Sequence, residues 1–225
     1  MITVSKEDYL KAVMEAESEG ENVISATLAH RLSVSAPAVT MALRRLKRDG
    51  MVGVRANGQV ELTRAGRAVA LRTMVRHHLI ERMLTEVFGM EWYRVHEEAE
   101  RLEHAVSPEF EAKLARKLGP AGTCPHGNPV VPESGEARRR RGMRLLAEAQ
   151  AGKSYRVTSV YERDGSLLRF LHERGIQPGV RVEVLERNYD QTLTVLAGKG
   201  KISVGGPAAE KVWVAPAKAV RASKR

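Results

Sequence analysis

Two stretches rich in histidine and glutamate, residues 76–81 and 95–104, constrain the fold of this chain most strongly. Both read as helices, and residues four apart on a helix lie on one face, as His77 and Glu81 do. The second stretch places two histidines and two glutamates on one stripe: His96, Glu100, Glu103 and His104. The neighbouring stripe is apolar and would face a core. Ionisable groups beside a buried face need a partner, and a divalent cation is a common one, so the sequence indicates a metal site.

The charge balance indicates a polyanionic partner. Lys and Arg number 37 against 27 Asp and Glu, a formal net charge of +10, which suits nucleic acid or, as the alternative, an anionic membrane surface. The single cysteine, Cys124, excludes an internal disulfide and fits a reducing cytoplasm. We find no signal peptide and no run near the roughly 18 apolar residues of a membrane span. We therefore expect a cytoplasmic protein without a membrane partner.

The N-terminal third has the pattern of a winged helix-turn-helix. A short helix over residues 24–32 is followed by a tight connection and by a helix that Ser35 caps. Residues 52–63 then alternate around Asn57-Gly58, a pair typical of a two-residue hairpin. A small protein-binding domain is the alternative interpretation. We predict that double-stranded operator DNA is contacted by residues of these helices and the hairpin: Thr27, Ser35, Ala36, Pro37, Thr40, Met41, Arg44, Arg45, Lys47 and Arg55.

A long helix is predicted from Thr63 to about Phe88. It carries more apolar positions than one intramolecular face can use, and a two-fold dimer contact would use the surplus. A homodimer also fits a winged helix that reads a two-fold-related operator. A further amphipathic helix is predicted over residues 110–118.

From Lys153 onward the hydrophobic period changes to two. A short helix over residues 166–173 and three further alternating runs predict a small barrel, with strands at 180–185, 192–196 and 201–204. The predicted fold class is therefore α+β and mainly α. Its predicted parts are a winged helix-turn-helix domain over residues 1–72, a helical dimerisation and metal-sensing domain over 73–137, a linker over 138–152 and a barrel over 153–225.

On these residues the chain resembles the diphtheria toxin repressor family, which includes the manganese transport regulators. The matching run extends from His77 to Ser107 and continues in Cys124-Pro125-His126-Gly127-Asn128-Pro129, and the resemblance covers nearly the whole chain. It implies a metal-dependent transcriptional regulator that represses metal-uptake genes as a homodimer. It also implies that the C-terminal barrel is of the FeoA-like, Src-homology-3-like kind.

The same resemblance implies two metal sites. The regulatory site would consist of Asp8, Glu100, Glu103 and His104. The ancillary site would contain His77, Glu81 and His96, although His77 joins the first site in some members. Further ligands of the second site, by likeness to streptococcal manganese-type members, would be Cys124, His126 and Asp164.

Two departures from the family pattern bear on the metal. Where iron-type members carry methionine and cysteine, this chain has Asp8 and Glu100, a harder donor set that favours Mn(II) over softer ions. Lys11 stands where the short manganese regulators have a glutamate, which argues against their closely spaced two-metal arrangement. Fe(II), Zn(II) and Co(II) therefore stay as alternatives to Mn(II). Met41 aligns with the family's base-reading glutamine, so the operator sequence can differ.

The expected mechanism is a metal bridge from Asp8 in the DNA-binding head to Glu100, Glu103 and His104 in the dimer region, which would set the spacing of two recognition helices. One alternative is an iron-responsive regulator of the same family. Another is a winged-helix regulator of a non-metal ligand, in which the acidic residues only form salt bridges. A metalloenzyme is not expected, because the second histidine of the metalloprotease motif and the Glu-x-x-His pairs of di-iron bundles are missing.

Overall fold

The computed structural model describes residues 4–119, 122–198 and 200–217. The helices are α1 Val4–Glu19, α2 Ser25–Leu32, α3 Ala36–Arg48, α4 Arg64–Arg82, α5 Val95–Leu102, α6 Pro108–Leu118, α7 Gly135–Arg140, α8 Gly165–Glu173 and α9 Gly206–Ala209. The strands are β1 Val52–Val54, β2 Val60–Leu62, β3 Arg144–Leu145, β4 Lys153–Val160, β5 Arg181–Arg187, β6 Leu193–Ala197, β7 Gly200–Val204 and β8 Val212–Pro216. Within the described ranges, no helix has the length and apolar character that crossing a bilayer requires.

The chain divides into two compact units. The first consists of residues 1–80, 100–122 and 129–135, and the second of residues 81–99, 123–128 and 136–225.

In the first unit, α1, α2 and α3 pack around one apolar core. The predicted cap of α3 is confirmed, because the Ser35 hydroxyl accepts a hydrogen bond from the Ala38 N–H at 3.4 Å. The three apolar residues Val39, Leu43 and Leu46 recur at helical spacing and are buried in the core. The opposite face of α3 is therefore turned to solvent.

The predicted hairpin is present, but its turn is not the predicted two-residue turn at Asn57-Gly58. The Arg55 N–H donates to the Gln59 carbonyl at 2.8 Å and the Gly58 N–H donates to the Arg55 carbonyl at 2.9 Å, so Ala56 and Asn57 are the central residues of the turn. Strands β1 and β2 pair antiparallel, with Val52 opposite Leu62. Gly58 has a φ of +83°, a left-handed conformation that glycine adopts at little cost, and the Asn57 side chain accepts the Gln59 N–H at 3.1 Å. The helix-turn-helix with its wing is thus built from local signals that the sequence carries.

Helix α4 begins after Thr63 and continues past Arg82 as a π-helical segment, Met83–Val87, so the predicted long helix is present. A π-helical turn holds more residues than an α-helical turn, so it rotates the side chains that follow. In the second unit, Val87 is 47% and Phe88 is 67% exposed. Val87 is one of the surplus apolar positions of the long helix that are expected to form a dimer contact.

Helix α5 ends at Leu102, earlier than the sequence predicts. The Ala105 N–H donates to the Leu102 carbonyl at 2.9 Å and closes a turn that contains Glu103 and His104. These two residues therefore lie on a turn and not on the helical stripe predicted to continue from His96.

The second unit contains a six-stranded antiparallel sheet in the order β3-β8-β4-β5-β6-β7. The inward-facing residues of its strands and of α8 form one core, which includes Val157, Leu168 and Val195. The pairing of β4 with β8 shifts register between Val157 and Ser159, so Thr158 is a bulge residue. The predicted barrel is confirmed, whereas β3 and β8 were not predicted.

Residues 138–152, predicted as a linker, contribute to this barrel. They contain β3, which pairs with β8, and a 3₁₀ turn over Leu146–Glu148. Leu146 is fully buried in the barrel core, so the structured module begins before the predicted Lys153.

Candidate metal centres and DNA-binding surface

Three predicted ligands meet in the first unit. The ring nitrogen His104 Nε2 lies 2.7 Å from Asp8 Oδ1 and 3.4 Å from Glu103 Oε1. One donor atom from each of these residues lies within 4.8 Å of the others, a spacing that a single cation can bridge. We call Asp8, Glu103 and His104 the first cluster. Asp8 comes from α1, whereas Glu103 and His104 come from the turn after α5, so the cluster joins distant parts of the sequence.

Glu103 is the buried centre of the first cluster, with a side chain only 1% exposed. Lys11 Nζ donates to Glu103 Oε1 at 2.7 Å, and His77 Nδ1 lies 2.6 Å from Glu103 Oε2. Burial alone would raise the pKa of Glu103, but the His77 hydrogen bond and the charges of Lys11 and His77 outweigh it and lower the pKa to about 2. Glu103 is therefore an anion throughout the physiological range, which is the charge state in which a carboxylate can bind a cation.

The other predicted members of this site stand at its edge. Glu100 is 45% exposed, and its Oε1 lies 3.6 Å from Lys11 Nζ, outside the group of closely spaced donor atoms. His77, predicted for the ancillary site, contacts Glu103 as described above. Burial raises the pKa of Asp8 despite the nearby His104 and Lys11, so this carboxylate gains from a cationic partner.

A second group of donors is buried in the second unit. Glu81 Oε1 lies 3.2 Å from His96 Nδ1 and 3.4 Å from His126 Nδ1. Glu162 Oε2 lies 3.4 Å from Cys124 Sγ and 3.7 Å from His126 Nδ1. We call Glu81, His96, Cys124, His126 and Glu162 the second cluster. It brings together four of the predicted ancillary ligands.

A tight turn positions Cys124 and His126. The Gly127 N–H donates to the Cys124 carbonyl, and the Cys124 N–H donates to the Asn128 carbonyl, both at 2.9 Å. The turn is fastened to β4, because Val160 N–H donates to the His126 carbonyl at 3.0 Å. Burial raises the pKa of the Cys124 thiol, and the nearby carboxylates add to the rise. A metal that bound this thiol would therefore have to displace its proton.

The predicted ligand Asp164 is placed elsewhere. Its Oδ1 accepts the Leu167 N–H at 2.9 Å, which caps α8, and its Oδ2 accepts from Lys211 Nζ at 2.8 Å. Glu162 is the carboxylate beside Cys124, and sequence reasoning missed it. The position of Glu162 in the sequence could have indicated this role. It comes two residues after β4, the strand to which the turn with Cys124 is hydrogen-bonded.

Both clusters fit a divalent cation by the chemistry of their donors. The first offers carboxylate oxygens and an imidazole nitrogen, a hard set. The second adds one thiol to carboxylates and imidazoles, which makes it softer. In each, carboxylates are withdrawn from water, which is costly without positive charge nearby. The donors would thus gain more from an ion here than on an open surface.

The exposed face of α3 carries most of the residues predicted to bind DNA. All of those on or just before α3 are exposed: Ser35, Ala36, Pro37, Thr40, Met41, Arg44, Arg45 and Lys47. Within the described ranges, Arg44, Arg45 and Lys47 form no ion pair. Arg55 in the wing pairs with Glu61 at 2.6 Å, and the Thr27 hydroxyl donates to the Asn22 carbonyl at 2.7 Å. The helix thus presents uncompensated positive charge, as phosphate binding requires.

Known sequence families match three parts of the chain. Residues 1–60 match the family described as iron dependent repressor, N-terminal DNA binding domain. Residues 63–132 match iron dependent repressor, metal binding and dimerisation domain, and residues 144–216 match the FeoA domain. The order of these matches agrees with the predicted order of domains.

Curated relatives and solved structures extend the match to nearly the whole chain. The iron-dependent repressor IdeR of Mycobacterium leprae is 32% identical over 221 residues, which cover 92% of this chain and 95% of that protein. The diphtheria toxin repressor of Corynebacterium diphtheriae is 31% identical over 197 residues, which cover 84% and 87%.

The structure of a manganese-dependent transcriptional repressor in complex with manganese matches with a TM-score of 0.83 at 33% identity, covering 94% of this chain and 100% of that one. The manganese regulator SloR matches with a TM-score of 0.76 at 26% identity, covering 96% and 100%. The resemblance drawn from the histidine- and glutamate-rich stretches is thereby confirmed. The chain belongs to the diphtheria toxin repressor family of metal-dependent transcriptional repressors.

Proposed function

We propose that this repressor is a cytoplasmic homodimer that binds operator DNA when Mn(II) occupies the first cluster. The observation that carries the proposal is the 2.7 Å approach of His104 Nε2 to Asp8 Oδ1. It brings a ligand on a helix of the DNA-binding head to ligands that follow α5. Asp8, Glu103 and His104 would hold the ion, with Glu100 as a further carboxylate at the edge.

The donor set supports Mn(II) as the activating ion. Two buried or half-buried carboxylates and one imidazole are hard ligands, and the first cluster contains neither thiol nor thioether. Fe(II) is the second candidate, because curated relatives of this chain are named iron-dependent repressors. The same residues serve either ion, so the difference between them is a difference in affinity and not in mechanism.

Binding an ion at the first cluster would restrain α1 and, through the shared core, the recognition helix α3. Leu10 and Val13 of α1 belong to the same apolar core as Val39 and Leu43 of α3, so α1 and α3 would move together. Fixing the head in this way would set the spacing of two α3 helices in a dimer, for which the exposed Val87 and Phe88 offer apolar surface. Coupling between two binding sites is reciprocal. DNA would therefore raise the affinity for metal by the same factor by which metal raises the affinity for DNA.

For the second cluster we propose a second metal site in which Glu162 replaces the expected Asp164. Its ligands would be Glu81, His96, Cys124 and His126 together with Glu162. All of them belong to the second unit, so an ion here would stabilise that unit. We expect loss of this site to lower thermal stability more than it lowers DNA affinity.

The test first identifies a DNA sequence that the protein binds, and then uses that sequence to measure affinity. A duplex enriched from a randomised pool by the wild-type protein with Mn(II) is labelled, and binding is followed by fluorescence anisotropy. Titrations are run with Mn(II), with anaerobic Fe(II), with Zn(II), with Co(II) and with a chelator. The variant is Asp8→Ala, and the matched control is Glu109→Ala, an exposed carboxylate of α6 that pairs only with Lys113 among the described residues.

We expect Mn(II) to raise the DNA affinity of the wild type and of the control by at least about a hundredfold, a coupling near the upper end of the usual range. Asp8→Ala should bind the duplex as weakly with Mn(II) as with chelator, while it unfolds at nearly the wild-type urea concentration. An Asp8→Ala protein that still responds fully to Mn(II) would contradict the bridge. DNA affinity that the chelator leaves unchanged in the wild type would contradict metal control itself.

A further inference from the structure

Lys11 places a permanent positive charge inside the first cluster. It lies on α1, one turn after Asp8, and only 5% of its surface is exposed. Its ammonium donates to Glu103 Oε1 at 2.7 Å and lies 3.6 Å from Glu100 Oε1. Lysines are rarely buried this deeply unless they are paired, and the partners of the Lys11 ammonium here are these two carboxylates.

The oxygen that Lys11 occupies is also the oxygen that faces the other ligands. Glu103 Oε1 lies 3.4 Å from His104 Nε2, and His104 Nε2 lies 2.7 Å from Asp8 Oδ1. The second oxygen, Oε2, is already held by His77 at 2.6 Å. Both oxygens of Glu103 therefore have protein partners. A cation bound by the first cluster has to share a Glu103 oxygen with Lys11 or His77, or displace that residue from the oxygen.

We propose that Lys11 is a specificity-determining residue that weakens cation binding at the first cluster and so sets the metal concentration at which the repressor responds. The inference rests on the proposed function. Lys11 supplies Glu103 with a positive partner, and this contact stabilises the cluster without a metal ion. A divalent ion gains less from a carboxylate that is already neutralised, and it is repelled by the ammonium beside it.

The charge of Lys11, and not its packing, carries this effect. The Lys11 side chain, including its four-carbon stem, is buried, so the replacement must keep that volume. Lys11→Met keeps an unbranched chain of similar length and removes the charge. Lys11→Arg keeps the charge. Lys113→Met is the matched control, because Lys113 pairs with Glu109 on the exposed face of α6 at 2.7 Å.

The experiment measures Mn(II) binding to the full-length variants by the electron paramagnetic resonance signal of free aqueous Mn(II). Each measurement is repeated in an Asp8→Ala background, and the difference defines the sites that depend on Asp8. We expect Lys11→Met to bind Mn(II) at least about tenfold more tightly at those sites than the wild type, whereas Lys11→Arg and Lys113→Met stay within about twofold.

A second readout separates this role from a structural one. In chelator, Lys11→Met should unfold at a lower urea concentration than the wild type, because Glu103 loses a partner. With saturating Mn(II) that deficit should disappear. A lysine that acted only in packing would leave the deficit in place and would not tighten Mn(II) binding.

The outcomes are distinct. Asp8-dependent Mn(II) binding that Lys11→Met leaves unchanged or weakens would overturn the role of Lys11 and leave the metal bridge standing. Mn(II) binding that does not depend on Asp8 in any variant would overturn both proposals. Tighter binding in Lys11→Met with wild-type behaviour of Lys11→Arg would support the inference.

Discussion

Replacing Gly127 with alanine would test how the turn that carries Cys124 and His126 is held against the barrel. A Cβ at Gly127 would lie 2.0 Å from the Thr158 carbonyl oxygen and 2.9 Å from Ser159 Cα. Both are backbone atoms of β4, at the bulge, and neither can move without moving the strand. The turn itself would have to lift by more than 1 Å to reach an ordinary contact, about 3.4 Å or more between heavy atoms.

A matched glycine separates this clash from the backbone conformation. Gly127 and Gly142 have the same φ of +82°, but a Cβ on Gly142 would meet nothing within 4 Å. Both belong to the second unit. Alanine in the left-handed region costs about 1–2 kcal/mol, partly offset by the stiffer unfolded chain, so we expect Gly142→Ala to lose about 1 kcal/mol of unfolding free energy.

Gly127→Ala should lose at least about 2 kcal/mol more than Gly142→Ala. Lifting the turn strains or breaks two hydrogen bonds between the turn and Val160. The Val160 N–H donates to the His126 carbonyl at 3.0 Å, and Asn128 Nδ2 donates to the Val160 carbonyl at 3.1 Å. Each contributes about 0.5–1.5 kcal/mol, and overpacking adds about 1–3 kcal/mol.

The assay is urea unfolding followed by circular dichroism, with chelator present so that metal binding does not add stability. Gly127→Ala should also weaken metal binding at the second cluster by at least about tenfold, because its thiol and imidazole move with the turn. Unfolding free energies of the two variants that agreed within about 0.5 kcal/mol would refute the close approach to β4.

Two further predictions follow from the pKa shifts. The folded-state pKa of Glu103, about 2, lies below its ordinary value of 4.5, so its ionisation stabilises the fold above about pH 4.5 and that contribution is lost as the pH falls toward 2. The unfolding free energy of the wild type should therefore exceed that of Glu103→Gln by about 3 kcal/mol near neutral pH, and by little near pH 2. A difference that stayed constant with pH would contradict the ion pair between Glu103 and Lys11. Because burial raises the pKa of Cys124, native protein in chelator should react with iodoacetamide near pH 8 at least about tenfold more slowly than urea-unfolded protein, and equal rates would show an accessible thiolate.

The sequence was most informative where the structure depends on neighbours in the chain. The cap at Ser35, the hairpin around Asn57-Gly58 and the apolar spacing of α3 are local signals, and the structure contains all three, although the hairpin turn is centred on Ala56 and Asn57. Helix α4 could be predicted in the same way, but its π-helical end could not. No pattern in the sequence marked that irregularity.

The clusters could be predicted in part. The ligands of the first cluster followed from the family resemblance, yet the turn after Leu102 and the contact between Lys11 and Glu103 required the fold. Asp164 and Glu162 are two residues apart, and composition does not distinguish them. The structure assigns them different tasks because Asp164 is at the N-terminus of α8, where the free N–H groups bind its carboxylate.

The position of Glu162 has a consequence for experiments that shorten the chain. The FeoA match covers residues 144–216, and Glu162 lies within it, whereas the rest of the second cluster comes from earlier residues. A truncated protein that lacked this module would lose Glu162, a proposed metal ligand, as well as a domain. An altered metal response in such a protein would therefore reflect the loss of a proposed ligand as much as the loss of the barrel itself, and Glu162→Gln in the full-length chain is the variant that distinguishes the two.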